Sequence, residues 1–134
     1  MILPDALYAY LSTEMSVGDR VYPRILPKSV VYPCMSYQII PAVGPVKVHS
    51  DAHDDGLGSG LFMRTRIQLD CWAKTYREAD ILAREVRQRL HGFSGLMGDL
   101  LIGSIHLDID MDSYDDEYEN YRRILDGMVS YNEA

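Results

Sequence analysis

The sequence predicts a single α+β domain: a mostly antiparallel or mixed β-sheet with two amphipathic helices packed on one face, in the order α-β-β-loop-β-α-β-β. Three observations predict it. From Leu61 onward, Met63, Thr65, Ile67, Leu69 and Cys71 alternate with Arg64, Arg66, Gln68 and Asp70, the period of a strand with one buried face. Directly after it, Ala79, Leu82, Ala83, Val86 and Leu90 recur at helical spacing, so a long strand feeds a helix that folds back on it. Finally, 134 residues that are 47% apolar and 25% charged suffice for one well-buried core but not for two ordinary domains.

The elements follow in chain order. Asp5 is placed to cap a first helix in which Leu3, Ala6, Leu7, Tyr10 and Leu11 share one stripe, ending near Met15 before Gly18. Arg20 to Leu26 and Pro33 to Ile40 read as two strands placed to form a hairpin, with prolines at 23, 27 and 33 suited to edges and turns. From about 43 to 60 the chain reads VGPVKVHSDAHDDGLGSG, rich in Gly, Asp, Ser and His, which predicts one long flexible loop. Structureless loops of about this size in a compact domain are usually functional or disordered in isolation. The loop and its exit therefore supply the candidate partner contacts: Val46, Val48, His49, Asp51, His53, Asp54, Asp55, Leu57, Leu61 and Phe62.

The organising strand then gives way to the second helix at Thr75, which with Glu78 makes a capping box. The outer face of that helix carries Arg77, Asp80, Arg84, Glu85, Arg87 and Arg89, and Gly92 is placed to end it. Leu69 of the strand is expected to pack on Leu82 or Val86 of the helix. Phe93 to Asp99 is a turn. Leu101 to Met111 alternates again, with Ile105, Leu107, Ile109 and Met111 opposite Ser104, His106, Asp108 and Asp110. The acidic stretch Asp112 to Asn120 predicts a turn, and Tyr121 to Tyr131 a last strand pairing back on its predecessor.

A formal charge of -7 and a pI near 4.9 argue against a surface that clings to phosphate backbones, which takes clustered Lys and Arg. No apolar run approaches the roughly 20 residues of a membrane helix. The N-terminus MILPDALYAY lacks the basic region and small-residue cleavage site of a leader, which places the expected site of synthesis in the cytoplasm. Cys34 and Cys71 lie in apolar strand contexts without CxxC spacing and read as buried free thiols.

Four constellations carry potential chemistry. His49, Asp51, His53, Asp54 and Asp55 are metal-ligand types at close spacing, but a metal site needs a rigid frame and this segment is flanked by glycine. A solvated loop is the better reading. Asp108, Asp110, Asp112, Asp116 and Glu119 match the acidic spacing of a calcium loop, yet Ser113 stands where glycine is wanted and no entering helix precedes them. Cys34, Cys71, Ser94 and Ser104 with His91 or His106 form no recognisable nucleophile signature, and Cys71 alternates onto the buried face. Ten tyrosines, several beside charges, suit either strands or protein interfaces.

Taken together, the leading helix, VYPRILP, the VYPCMSYQI strand, RTRIQLDCWAKTYREADILAREVRQRL and the closing YRRILDGMVSY resemble the tail-completion, or tail-to-head joining, proteins of long-tailed bacteriophages. The resemblance covers nearly the whole chain. It is most specific at Gln68, Asp70, Trp72, Tyr76 and Ala79, and departs at the acidic insertion Asp112 to Asn120. It implies a fold similar to tail terminators and a non-enzymatic role without cofactor. Copies would form a ring, hexameric in the family, that caps the tail tube protein and docks to the head connector or stopper protein, with DNA only passing through the lumen. An acidic wall would let DNA pass without sticking. A small metal- or ligand-binding regulatory domain is the competing reading, built on the His49 to Asp55 or Asp108 to Glu119 clusters.

Overall fold

The structure, a computed structural model, describes residues 1–40, 46–49 and 61–132, with side chains described at 1–40 and 63–132. It comprises α1 (Leu3–Glu14), β1 (Val21–Pro23), β2 (Cys34–Ile40), β3 (Val46–His49), β4 (Leu61–Ala73), α2 (Tyr76–Leu90), β5 (Gly95–Met97), β6 (Leu100–Asp115) and β7 (Asn120–Asn132). The seven strands form one sheet in the order β1-β2-β4-β7-β6-β5, with β3 also paired to β4. Both helices lie on one face, and a single core cluster joins their apolar stripes to the inner rows of β4, β6 and β7.

The thirteen-residue β4 is central: its residues alternate from Met63 to Cys71, and both of its margins are paired. One margin pairs with β2 from Arg66 to Trp72 and with β3 from Leu61 to Arg64, and the other pairs with β7 from Met63 to Ala73, all antiparallel. Its inner row Ile67, Leu69 and Cys71 is fully buried. Helix α2 covers this row with Ala79, Leu82, Ala83, Val86 and Leu90, the five positions that the helical period picks out. The N-cap bond of the expected capping box forms: the Glu78 amide donates to Thr75 Oγ1 at 3.1 Å, and Glu78 Oε1 accepts the Thr75 hydroxyl at 3.0 Å. At the other end Gly92 takes φ +82°, where glycine carries no Cβ penalty, and its amide donates to Ile105 O at 2.8 Å.

Helix α1 starts earlier than expected. Its N-cap is Ile2, without a side-chain cap bond, and Asp5 sits inside the first turn, where a negative charge is favoured by the helix dipole. Leu3, Ala6, Leu7 and Leu11 are buried as the stripe predicts. Tyr10 meets Phe93 edge-on at 5.3 Å, tying α1 to the turn that follows α2.

The expected hairpin between the first two strands is not formed. β1 runs parallel to β2, with Val21 opposite Met35 and Pro23 opposite Tyr37. The proline-punctuated link 24–33 carries the chain back across instead of reversing it at a tight turn, and parallel strands require such a crossover. Arg24 turns the corner at φ +62°, and its amide donates to Tyr37 O at 2.8 Å.

The second difference lies in β6. The turn after it is short, because β6 runs through Asp115 and β7 starts at Asn120, so most of the acidic stretch is strand. The register shifts between Leu107 and Ile109, where an extra residue swaps the two faces. Ile105 is buried and Leu107 packs against the core, whereas Ile109 and Met111, expected beside them, are 39% and 54% exposed. Asp110 and Asp112 take the helix side, where Arg123 binds them at 2.7 and 3.1 Å. Gly127 stands opposite Leu107 beside this shift, and a Cβ there would lie 2.0 Å from the His106 carbonyl oxygen.

Two outcomes follow for denaturant unfolding. Leu82→Ala should cost about 2 to 5 kcal/mol, the range for truncating a core leucine; a loss below about 0.5 kcal/mol, typical of surface positions, contradicts the packing of α2. Gly127→Ala should cost about 1 to 3 kcal/mol, because the neighbour it would strike is backbone and cannot rotate away. Unchanged stability would show that β6 and β7 can separate there without penalty.

Candidate assembly interface

The segment singled out for partner contact begins as a strand. Val46, Val48 and His49 belong to β3, in register with Arg64, Phe62 and Leu61 of β4. The VKVH run does alternate, a period too short to separate from its glycine-rich surroundings. Asp51, His53, Asp54, Asp55 and Leu57 lie outside the described residues. The last rung of β7 on β4 is Met63 to Tyr131, so the rungs at Leu61 and Phe62 carry the β3-β4 ribbon past the end of the β4-β7 ladder.

The calcium-like spacing is spent on other bonds. Asp108 contacts Arg66 at 3.4 Å, Asp110 receives both Arg123 and Arg87, and Asp112 pairs with Arg123. Asp115 Oδ1 accepts the amides of Glu117 at 2.9 Å and Tyr118 at 3.3 Å and so closes the β6-β7 turn. The register shift after Leu107 sends Asp108 to Arg66 on one face and Asp110 and Asp112 to Arg123 on the other, so the three carboxylates do not converge on one cation. Among the described residues no group of three or more His, Cys, Asp or Glu side chains is gathered around a common centre.

Arg123, with 11% of its side chain exposed, binds Asp80 of α2 at 2.6 Å as well as Asp110 and Asp112. Burial alone would lower its pKa, but the hydrogen bonds to Asp110 and Asp80 outweigh burial and raise it. The Asp80 carboxyl is held below its usual range by hydrogen bonds from Arg84 and then Arg123. These charges bolt α2 to the sheet.

The nucleophile candidates are similarly occupied. Burial pushes the Cys71 thiol far up and the Cys34 thiol up to about 11, which keeps both protonated and unreactive near neutrality. His91 uses Nδ1 to accept the Leu107 amide at 3.1 Å, a structural bond at the edge of β6, and its ring lies 4.9 Å from that of His106.

The face of the sheet opposite the helices carries a second set of polar contacts. Gln68 Nε2 donates to Asp70 at 3.0 Å, Arg122 binds Asp70 at 2.9 Å, and Trp72 Nε1 donates to Ser36 Oγ at 3.1 Å while Arg122 lies 4.8 Å from its ring centre. Gln68, Asp70 and Trp72, three of the five residues most specific to the resemblance, thus share one hydrogen-bonded row of this face. At its end a groove of about 640 Å³ opens between the link 24–33 and the β6-β7 turn, rimmed by exposed Ile25 and Tyr118. Sequence reasoning missed this groove, whose walls come from segments distant in the chain. It also missed Ile109 and Met111 as members of the face opposite the helices, since a bulge leaves no mark in the alternation.

The arrangement offers partner surfaces and contains no activated nucleophile or poised acid-base pair among the described residues. By fold, the chain is similar to a chain from the "Virion of native gene transfer agent (GTA) particle", with a TM-score of 0.60 and 12% identity over 94% of this chain and 92% of that one. No curated protein matches the sequence. The tail completion protein gp17 family matches residues 5–131, nearly the full length. The chain therefore belongs to the tail completion protein gp17 family and is a structural, non-enzymatic protein of a virion tail.

Proposed function

We propose that copies of this chain form a ring, six to a turn, that closes the head-proximal end of the tail tube and docks to the head connector or stopper protein. The observation that carries this reading is the match to the tail-completion family over residues 5–131. The exposed apolar side chains Leu96, Leu101, Ile109 and Met111 on β5 and β6 fit a part that finishes its burial in an assembly. DNA passes through the lumen without being held, because a chain of net charge -7 repels phosphate.

In this reading the free chain is monomeric, and segment 46–59 with Leu61 and Phe62 meets a neighbouring subunit or tail partner when the ring forms. A segment so rich in Gly, Asp and Ser buries little apolar surface by itself, and a partner can supply the missing contacts. Replacing 50–59 by a few glycines, which keeps the β3-β4 ladder, should leave circular dichroism and melting nearly unchanged while heads and tails accumulate unjoined. Normal yields of infectious particles from the shortened chain would contradict the role of the segment, and loss of folding would show it to be structural.

A further inference from the structure

We infer that the outer margin of β6 from Asp108 to Asp115 is the docking edge for a second copy of this chain, which adds its β3 margin there as a further strand. The inference rests on the ring reading and names the surfaces that would build the ring.

The topology supplies the first argument. β6 has sixteen residues and lies next to the end of the sheet, yet β5 covers only Leu100, Leu101 and Ile102. Further along, Ile105 O accepts the Gly92 amide and the Leu107 amide donates to His91, so α2's exit closes the margin up to Leu107. Beyond it, among the described residues, no strand lies outside Asp108 to Asp115. In a strand paired on one side only, alternate N–H and C=O groups point outward and can be satisfied by another chain.

Monomeric proteins blunt such edges with charged side chains, proline, bulges or short strands. This margin carries aspartates and follows a bulge, but it is long and exposes apolar side chains. Residues 108–115 read DIDMDSYD, with neither proline nor lysine, and Ile109, Met111 and Tyr114 are 39%, 54% and 48% exposed. The bulge that turns Ile109 and Met111 away from the core sends Asp110 and Asp112 to Arg123, while Asp108 contacts Arg66 and Asp115 closes the turn, so all four aspartates already have contacts within their own subunit.

The opposite margin of the same sheet is complementary. β3 pairs with β4 on one side, and among the described residues no strand pairs with its other side. Its sequence, VKVH, alternates valines with a lysine and a histidine and contains no acid, against four acids in DIDMDSYD. An acidic apolar margin at one end of a sheet and a basic apolar margin at the other form a head-to-tail contact, and such a contact closes into a ring when the rotation allows. Two copies of one identical margin would instead bring acid against acid.

The test compares amide hydrogen exchange of the full-length chain free in solution and incorporated into tails. Exchange at 108–115 and at 46–49 should slow together, by about tenfold or more, on incorporation. Replacing both Ile109 and Met111 by lysine should leave melting unchanged, since both side chains face solvent, and abolish incorporation. A ring visible at the tail end whose 108–115 amides exchange as in the free chain overturns the docking edge while sparing the ring. Protection at 108–115 without protection at 46–49 overturns the second copy as occupant. Tails that carry the chain in no ring overturn both readings.

Discussion

Everything in this fold hangs from the burial of one row of one strand. Ile67, Leu69 and Cys71 of β4 have no exposed surface, and they are closed over by the apolar stripe of α2 within a core that also takes in Leu7 and Leu11 of α1. Fully burying a large aliphatic side chain contributes about 1.5 to 3 kcal/mol, so this contact layer dominates what local propensity alone could supply. It can form only if the chain reverses directly after Ala73, which the N-cap bond between Thr75 and Glu78 arranges. The remaining strands then add to margins that β4 has already placed.

A second, electrostatic constraint fixes how β6 meets that layer. Arg123 reaches from β7 to Asp80 on α2 and to Asp110 and Asp112 on β6, with little solvent to screen the charges. A buried guanidinium is costly unless its hydrogen bonds are made, and here carboxylates from two elements make them. The bulge after Leu107 is what delivers Asp110 and Asp112 to that position. Its consequence is that two large apolar residues, Ile109 and Met111, are turned to solvent on the opposite face. The same local insertion therefore closes the core around a charge and exposes an apolar pair.

How legible each element was follows from how local its cause is. β4 and α2 were readable because alternation and helical spacing are encoded within a few residues, and every buried position of α2 was named from spacing. The pairing of β1 with β2 was misread as a hairpin, because period-two patterning tells which face is buried and not which strand lies alongside. Alternation in β6 was followed past the second of its two register shifts, between Leu107 and Ile109, and so misplaced Ile109 and Met111. Val46–His49 was absorbed into a loop, since four residues of alternation carry little signal beside glycines and aspartates. Of the candidate contacts, Val46, Val48, His49, Leu61 and Phe62 prove to share one ribbon. The groove between the link 24–33 and the β6-β7 turn had no readable signature, because it exists only once both segments are folded.

The central proposal is one of place: that this chain completes the tail at the end that meets the head. Electron micrographs of particles assembled with and without it test that most directly. The account predicts filled heads and separate tails in its absence, the tails lacking a ring of density at their head-proximal end, and joined particles once the chain is restored. Joined particles formed without the chain, or its density located at the far tip of the tail, would contradict the account.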